Sequence, residues 1–526
     1  MSKESTGRHA MLVSAGILLS RMMGLVRQRA INHFFGIGYA ADAFTAALKV
    51  PNLLQNLFGE GVLSASFIPV YARLLAEGDD EEADRVAGVV GSILALAASV
   101  VVLAGIAAAP YLIWVIAPGF PEAKRDLTIL LVRILFPGAG VLVCSAWCLG
   151  ILNSHRKFFL SYTAPVVWNL AMITTLVVFG SGKMSPAALD SLAVELAWGT
   201  VAGCLLQFGV QLPTVFRVAS KLRFRPEVHS RQVREVLRNF GPVVGSRGVV
   251  QLSGYIDLTL ASLLPEGSVA AMTVAQSIYM LPVSLFGMAV SAAELPAMSS
   301  ATGTQSEIAA RLRERLNSGL RQIAFFIVPS AMAFFLLGDI IMGLLYQSGR
   351  FTHADTLFGW KIVAGSAVGL LASTLGRIYS STYYALRDTR TPLKFAVVRV
   401  CLTTVLGVAG VYLPVLLGID RHWGAAGLTA SAGVAGWVEF LLLRRNMNAR
   451  IGVTGVPSSL VVRLWGAAAL GAAGAWAVKL GMGTEHPVKL GIPALGIYGV
   501  IYFATTYVLK VPECAGVMQK LKRLRR

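Results

Sequence analysis

The sequence predicts an all-α polytopic membrane protein, with about fourteen transmembrane helices and both termini on one side. Three observations carry that expectation. Of 526 residues, 55% are hydrophobic and only 14% charged, where a soluble chain would carry about 25% charged residues; mean hydropathy is +0.66. Apolar runs recur from end to end, such as AGVVGSILALAASVVVLAGIAAAPYLIWVIAP from Ala87, and about 20 such residues cross roughly 30 Å of hydrocarbon. Finally, Lys and Arg crowd every second connection, as in HRK, RVASKLRFRPEVHSRQVREVLR, RLRERLNSGLR, RDTRTPLK, RRNMNAR and the tail KLKRLRR. The alternate loops LPEGS, GIDRHWG and GTEHP are nearly free of them. Excess Lys and Arg marks the cytoplasmic face, so an even number of spans with N-in and C-in termini fits both patterns.

The elements follow in order. A first span near 11–35 has the basic flank of a signal peptide, but Arg21 interrupts its apolar part and no small-residue cleavage site follows. It is read as a retained span. A second, near 39–70, carries Pro51 and several polar side chains. Spans near 86–117, 127–153, 157–180 and 190–217 complete an N-terminal six-helix lobe expected at 1–222. Spans near 236–264, 267–298, 319–346, 355–385, 392–416 and 423–443 give a C-terminal six-helix lobe at 223–450. Two more, near 458–481 and 488–510, lie in 451–526 with the basic cytoplasmic tail.

Two echoes suggest duplication. VPNLLQNLFGEGVLSASFIP in span two resembles LPVSLFGMAVSAAELP in span eight. APGFPEAKRD before span four resembles YQSGRFTHADT before span ten, aligning Gly119 with Gly349 and Asp126 with Asp355. Repeats an even number of spans apart keep the same orientation, so the halves are expected to be parallel, around a central site opening alternately to either side.

Composition also excludes classes. The net charge of +19 belongs, in a chain this apolar, to topology-setting loops, and nucleic-acid binding is not expected. The five cysteines show no metal or disulfide spacing; Cys144 and Cys148, one helical turn apart, read as packing residues. No metal, cofactor or catalytic residue is expected. An enzyme acting on polyprenyl phosphates would need clustered acids, and the run GDDEEAD at 78–84 reads instead as solvated surface.

The intramembrane charges are the functional candidates, because each is expensive to insert. Arg21 sits about ten residues into span one, roughly 15 Å deep at helical rise. It is either half of a structural ion pair or a cation of a water-filled cavity that receives an anion, for which a planar guanidinium is suited. Arg27 and Arg29 follow. Span two offers Asp42, as helix cap or gate, then Lys49, Asn52, Gln55, Asn56 and Glu60. Lys49 is read as helping to hold the second span beside the first. Span seven holds Arg247 and Asp257, about 80° apart around the helix. Asp257 and Glu294 are the candidates for coupling a monovalent cation or the membrane potential, with ordinary interhelical pairing as the alternative. Arg133, Glu195, Arg377 and Arg399 are charged positions without an assigned role.

SRMMGLVRQ, ADAFTAALKVPNLLQNLFGEGVLSASFIPVY, YQSGRFTHADT and YYALRDTRTP resemble the signature segments of the MurJ (MviN) lipid II flippases. That family belongs to the multidrug/oligosaccharidyl-lipid/polysaccharide exporter superfamily. The resemblance spans essentially the whole chain. It implies a multi-pass transporter of a bacterial cytoplasmic (inner) membrane, moving the undecaprenyl-pyrophosphate-linked peptidoglycan precursor between leaflets. It further implies an arginine-lined cavity between two lobes and a lipid-tail groove at the last two helices. Arg21 and Arg27 fall on the family's span-one arginines, Asp42 on its acidic residue of span two, and Asn52 within its PNLL segment. Two positions depart. Where family members often carry arginine, this chain has Gln55 and Ser277, and Arg247 is the candidate to restore a charge. The implied partners are lipid II, or a similar polyprenyl-pyrophosphate substrate, and membrane lipids; a monomer and contact with the cell-wall synthesis machinery are further expectations. A related exporter of another polyprenyl-linked oligosaccharide, or of drugs, is the alternative.

Overall fold

A computed structural model describes residues 3–182, 185–224, 230–299, 304–483 and 486–516. They are helical almost throughout, and among them the extended pairing is a single bridge, Ser348 with Phe351. The chain divides into two compact units, Met1–Ala270 and Ala271–Arg526.

The first unit contains α1 (Lys3–Phe35), α2 (Tyr39–Phe58), α3 (Glu60–Ser66), α4 (Ile68–Glu77), α5 (Asp80–Ile116), α6 (Glu122–Ser154), α7 (Phe158–Gly180), α8 (Pro186–Val218) and α9 (Arg231–Ser262). The stretch expected as one second span is therefore three helices. Gly59 makes the first break: its N–H bonds Gln55 O at 2.7 Å, and a Cβ there would stand 2.2 Å from that oxygen. Phe67 makes the second, with Pro69 in the first turn of α4. Phe67, Tyr71, Val86, Val90, Trp147 and Ile151 form the core where α4, α5 and α6 meet. The Trp147 indole donates to Ala87 O at 2.9 Å. Within this unit α9 packs on α2, α3 and α5.

The second unit takes in most of α10 (Ser268–Pro282), then α11 (Ala289–Ser299), α12 (Gln305–Leu336), α13 (Gly338–Tyr346), α14 (His353–Ala385), α15 (Arg390–Leu416), α16 (Trp423–Ile451), α17 (Ser458–Met482) and α18 (Pro487–Val508). A π-helical turn, Val283–Met288, joins α10 to α11 directly after Pro282. The closing pair α17–α18 packs on α12 and α13 through Ala333, Leu337, Ile340, Ala472, Ala475, Ala494 and Tyr498. Polar contacts pin it as well. Pro329 has no N–H to give Phe325 O, and the Tyr502 hydroxyl donates to that carbonyl at 2.5 Å. Tyr498 donates to Pro329 O at 2.6 Å.

Eleven helices are long and apolar enough to cross a membrane, among the described residues. The other three expected spans fall on α1, the broken α2–α4 series and α9, which are helical.

Candidate functional site

In α1 the two arginines play different parts. Six residues separate them, about 120° around a helix, so they leave it in different directions. Arg27 Nη1 donates to Asn169 Oδ1 at 3.0 Å, and its guanidinium lies 4.9 Å from the centre of the Trp168 ring. Asn169, buried in α7, is itself fixed by donating to Pro165 O at 2.9 Å. Stacking on an indole is worth about 0.5–2 kcal/mol, so α7 presets the Arg27 fork. Arg21 is exposed, and no described residue pairs with it. The structural-pair alternative thus finds no partner there.

Asp42 lies in the first turn of α2 and is 1% exposed. Its carboxylate does not cap its own helix. Oδ2 accepts from Lys124 Nζ at 2.6 Å and from Gly267 N at 2.7 Å, and Oδ1 accepts from Ala270 N at 2.8 Å. A carboxylate at the start of α10 also meets the positive end of that helix dipole. Lys124, 4% exposed, is further enclosed by the Phe120 and Tyr39 rings. The starts of α2, α6 and α10 are therefore tied at one carboxylate, all within the first unit. Gly119 explains how α6 comes so close: a Cβ on it would stand 2.2 Å from Ser262 O. Its echo, Gly349, is a glycine for another reason, a φ of +57°.

Further along α2 the contacts are with α9. The Tyr255 hydroxyl donates to Lys49 O at 3.0 Å, and Asn56 Nδ2 to Gln251 Oε1 at 3.1 Å. The Lys49 carbonyl is thus a contact with α9. Asn52 and Gln55 are half-buried on the same helix. The backbone of Arg247 lies within α9, and its side chain is outside the described residues.

In the second unit, Ser277 is fully engaged: its hydroxyl bonds Val274 O at 2.6 Å and the buried Tyr346 hydroxyl at 2.7 Å. Glu294 is 3.8 Å from Arg315 on α12, and Arg399 donates to Glu439 on α16 at 3.1 Å. Arg133 and Arg377 are exposed, and Glu195 is half-buried.

The acidic run 78–84 is more than solvated surface. Asp79 caps α5 by accepting from Glu82 N, Glu81 and Glu82 pair outward, and the buried Asp84 accepts from Lys221 N at 2.9 Å. Gly88 lets that backbone approach, since a Cβ on it would lie 2.3 Å from Arg223 O. With Arg73 and Glu235 bonded at 2.9 Å, two connections at the basic end of the unit are clasped together.

Sequence reasoning missed Lys124, Trp168 and Asn169. Lys124 sits inside the echo APGFPEAKRD beside Arg125, and two bases at a helix start on the base-poor side were the available signal. Trp168 and Asn169 lie in APVVWNLAM, which gives none beyond one amide in an apolar span.

Comparison with known proteins places this geometry. The family described as "Lipid II flippase MurJ" matches residues 31–484. A probable lipid II flippase MurJ of Rhizobium tropici is 29% identical, over 98% of this chain and 96% of its own. The lipid II flippase MurJ of Burkholderia cenocepacia is 30% identical over 84% of each. In fold, a lipid II flippase MurJ in an inward closed conformation superposes with a TM-score of 0.76 at 22% identity, covering 95% of this chain and 98% of that one. An inward-facing multidrug resistance transporter of the MATE family gives 0.66 at 18% identity, covering 84% and 98%. The multi-pass helical fold and the family's sequence pattern across residues 31–484 converge: this chain belongs to the lipid II flippase MurJ family.

Proposed function

We propose that this chain carries lipid II, the undecaprenyl-pyrophosphate-linked peptidoglycan precursor, from the inner to the outer leaflet of a bacterial cytoplasmic membrane by alternating access. The match of the lipid II flippase family across residues 31–484 carries this reading. The physical problem suits the residues. A headgroup of sugars and two phosphates cannot cross hydrocarbon unaided, since each unpaired polar group costs several kcal/mol. Arg21, without a protein partner among the described residues, is free to compensate phosphate, and Arg27 is oriented beforehand by α7. Asn52 and Gln55 supply neutral polar contacts on α2.

In this reading residues 1–222 and 223–450 work as two lobes and 451–526 guides the lipid tail, in an N-in, C-in monomer that supplies the wall-synthesis machinery. Asp257 is the coupling acid in this reading. Glu294 has Arg315 as its counter-charge and is the weaker candidate.

The test is lipid II exposure on the outer leaflet of cells depleted of their own flippase and expressing this chain. Restored exposure and growth is the expected result. A protein abundant in the membrane with lipid II retained inside would overturn the reading. It would favour export of another polyprenyl-linked molecule, as the neutral Gln55 and Ser277 suggest. Arg21→Ala should abolish transport while the protein accumulates normally. Arg247→Ala should lower it if span seven replaces the missing charges, and an inert result would end that idea.

A further inference from the structure

A cavity of about 370 Å³ opens in the second unit between α13, the first turn of α14, the end of α17 and the start of α18. Asp339, Gln347, His353, Thr356 and Lys479 are its polar lining, and Leu490 is part of its apolar wall. Lys479 Nζ donates to Asp339 Oδ2 and sits 4.9 Å from the centre of the Trp476 ring. Asp339 Oδ1 is buried and receives no hydrogen bond from any described residue. A buried carboxylate oxygen left without a donor is unfavourable, so the cavity complements a group bearing N–H or O–H.

The surroundings say what kind of molecule brings that group. Trp360 and Trp476 donate to Phe335 O and Leu336 O beside the cavity, and tryptophans concentrate where a bilayer meets water. Leu480, Val488 and Ile492, on the same helix ends, are exposed. An occupant there has its polar part at headgroup depth and its apolar part along α17 and α18. Lys479 and the exposed His353 offer positive or donor groups to a phosphate, while Asp339 Oδ1 awaits a donor cation.

We propose that this cavity binds the headgroup of an aminophospholipid of the phosphatidylethanolamine type, its primary ammonium on Asp339 Oδ1 and its phosphate toward Lys479 and His353. By loop charge this end is the outer one, so the lipid comes from the outer leaflet. The site rests on that reading for its orientation and shares α17 and α18 with it, but phospholipid binding by the purified chain is measured apart from lipid II transport, so either can fail alone.

Phosphatidylcholine provides the control, because it has the same phosphate but a quaternary ammonium without N–H. Thermal unfolding and native mass spectrometry of the purified full chain would be compared in dioleoyl phosphatidylethanolamine, phosphatidylcholine and phosphatidylglycerol. The expected result is about a tenfold preference for phosphatidylethanolamine over phosphatidylcholine, the size of one charge-assisted hydrogen bond. Asp339→Asn should abolish that preference, and His353→Ala should weaken retention of both phospholipids.

If Asp339→Asn does not fold, Gly343→Ala decides. Its added methyl would stand 3.3 Å from Gln347 Oε1 and 3.7 Å from Pro487, narrowing the cavity without changing charge, and should reduce bound phosphatidylethanolamine. Equal binding of phosphatidylethanolamine and phosphatidylcholine, or a preference surviving Asp339→Asn, would overturn the proposal. Tightest binding of phosphatidylglycerol would do so too, by showing a site that reads phosphate alone.

Discussion

Each unit holds an Asp–Lys pair at helix ends joined by base-poor loops, and the two are built to opposite specifications. In the first, Asp42 and Lys124 are sealed from solvent, and both carboxylate oxygens accept hydrogen bonds. In the second, Asp339 and Lys479 border a cavity, and one carboxylate oxygen has no donor among the described residues. A sealed pair with every valence filled locks geometry. A pair with one valence open leaves chemistry for something else to complete. The same two residue types thus hold a fold in one place and offer a binding surface in the other, and burial with partner count distinguishes them.

The comparison breaks most sharply at Lys124. Lys124→Met strands a buried carboxylate and should destabilise the protein by about 3–5 kcal/mol, measured by unfolding in detergent. Asp42→Asn combined with Lys124→Met should recover much of that loss. Lys479→Met, at the wetter pair, should cost less, about 1–2 kcal/mol, and equal losses at the two lysines would erase the distinction. A second prediction extends the contrast to Arg27. Asn169→Ala removes an acceptor worth about 1–3 kcal/mol to a charged donor, so lipid II exposure should fall about tenfold while Arg27 stays stacked on Trp168. Unchanged transport would mean that α7 does not set the arginine's direction.

The smallest effect belongs to a half-buried relative of these pairs. Asp388, between α14 and α15, accepts from Thr391 N and its hydroxyl and is 2.8 Å from Arg450. Hydrogen bonds from the Thr391 backbone and side chain, then the Arg450 charge, hold its carboxyl at about 2, below the ordinary 3.8. Its stabilisation is therefore fully present above about pH 4 and fades as pH falls toward 2. Screened by solvent, it should amount to about 0.5 kcal/mol. The stability gap between the unchanged chain and Asp388→Asn should shrink between pH 5 and pH 3, and a gap constant with pH would remove the carboxylate from the account.

The membrane class and most spans were legible because hydrocarbon imposes length and apolarity on each segment separately; the expected span at 127–153 lies within α6, and that at 86–117 runs one residue past the end of α5. The breaks at Gly59 and Phe67 were not, since Pro51, the obvious candidate, stays inside α2. Site chemistry was half legible. The expense of burying Arg21, Arg27 and Asp42 shows in one line of sequence, whereas the partner of Asp42 lies 82 residues away and that of Arg27 lies 142 away. Charge is a local property, and pairing is a property of the fold. The acids at 78–84 taught the reverse, because a run that reads as solvated includes a buried clasp at Asp84.

The proline notch in α12 has an evolutionary corollary. Phe325 O is left open by Pro329 and filled by the Tyr502 hydroxyl from a helix 177 positions later. Losing the tyrosine first orphans a carbonyl where there is no water to replace it; replacing the proline first restores an amide to an oxygen whose two lone pairs accept both donors. The tyrosine is therefore held wherever the proline is, and the two sites should drift together among descendants of this chain. Such a covariant pair records, in inheritance, that the last two helices are bound to the body that carries them.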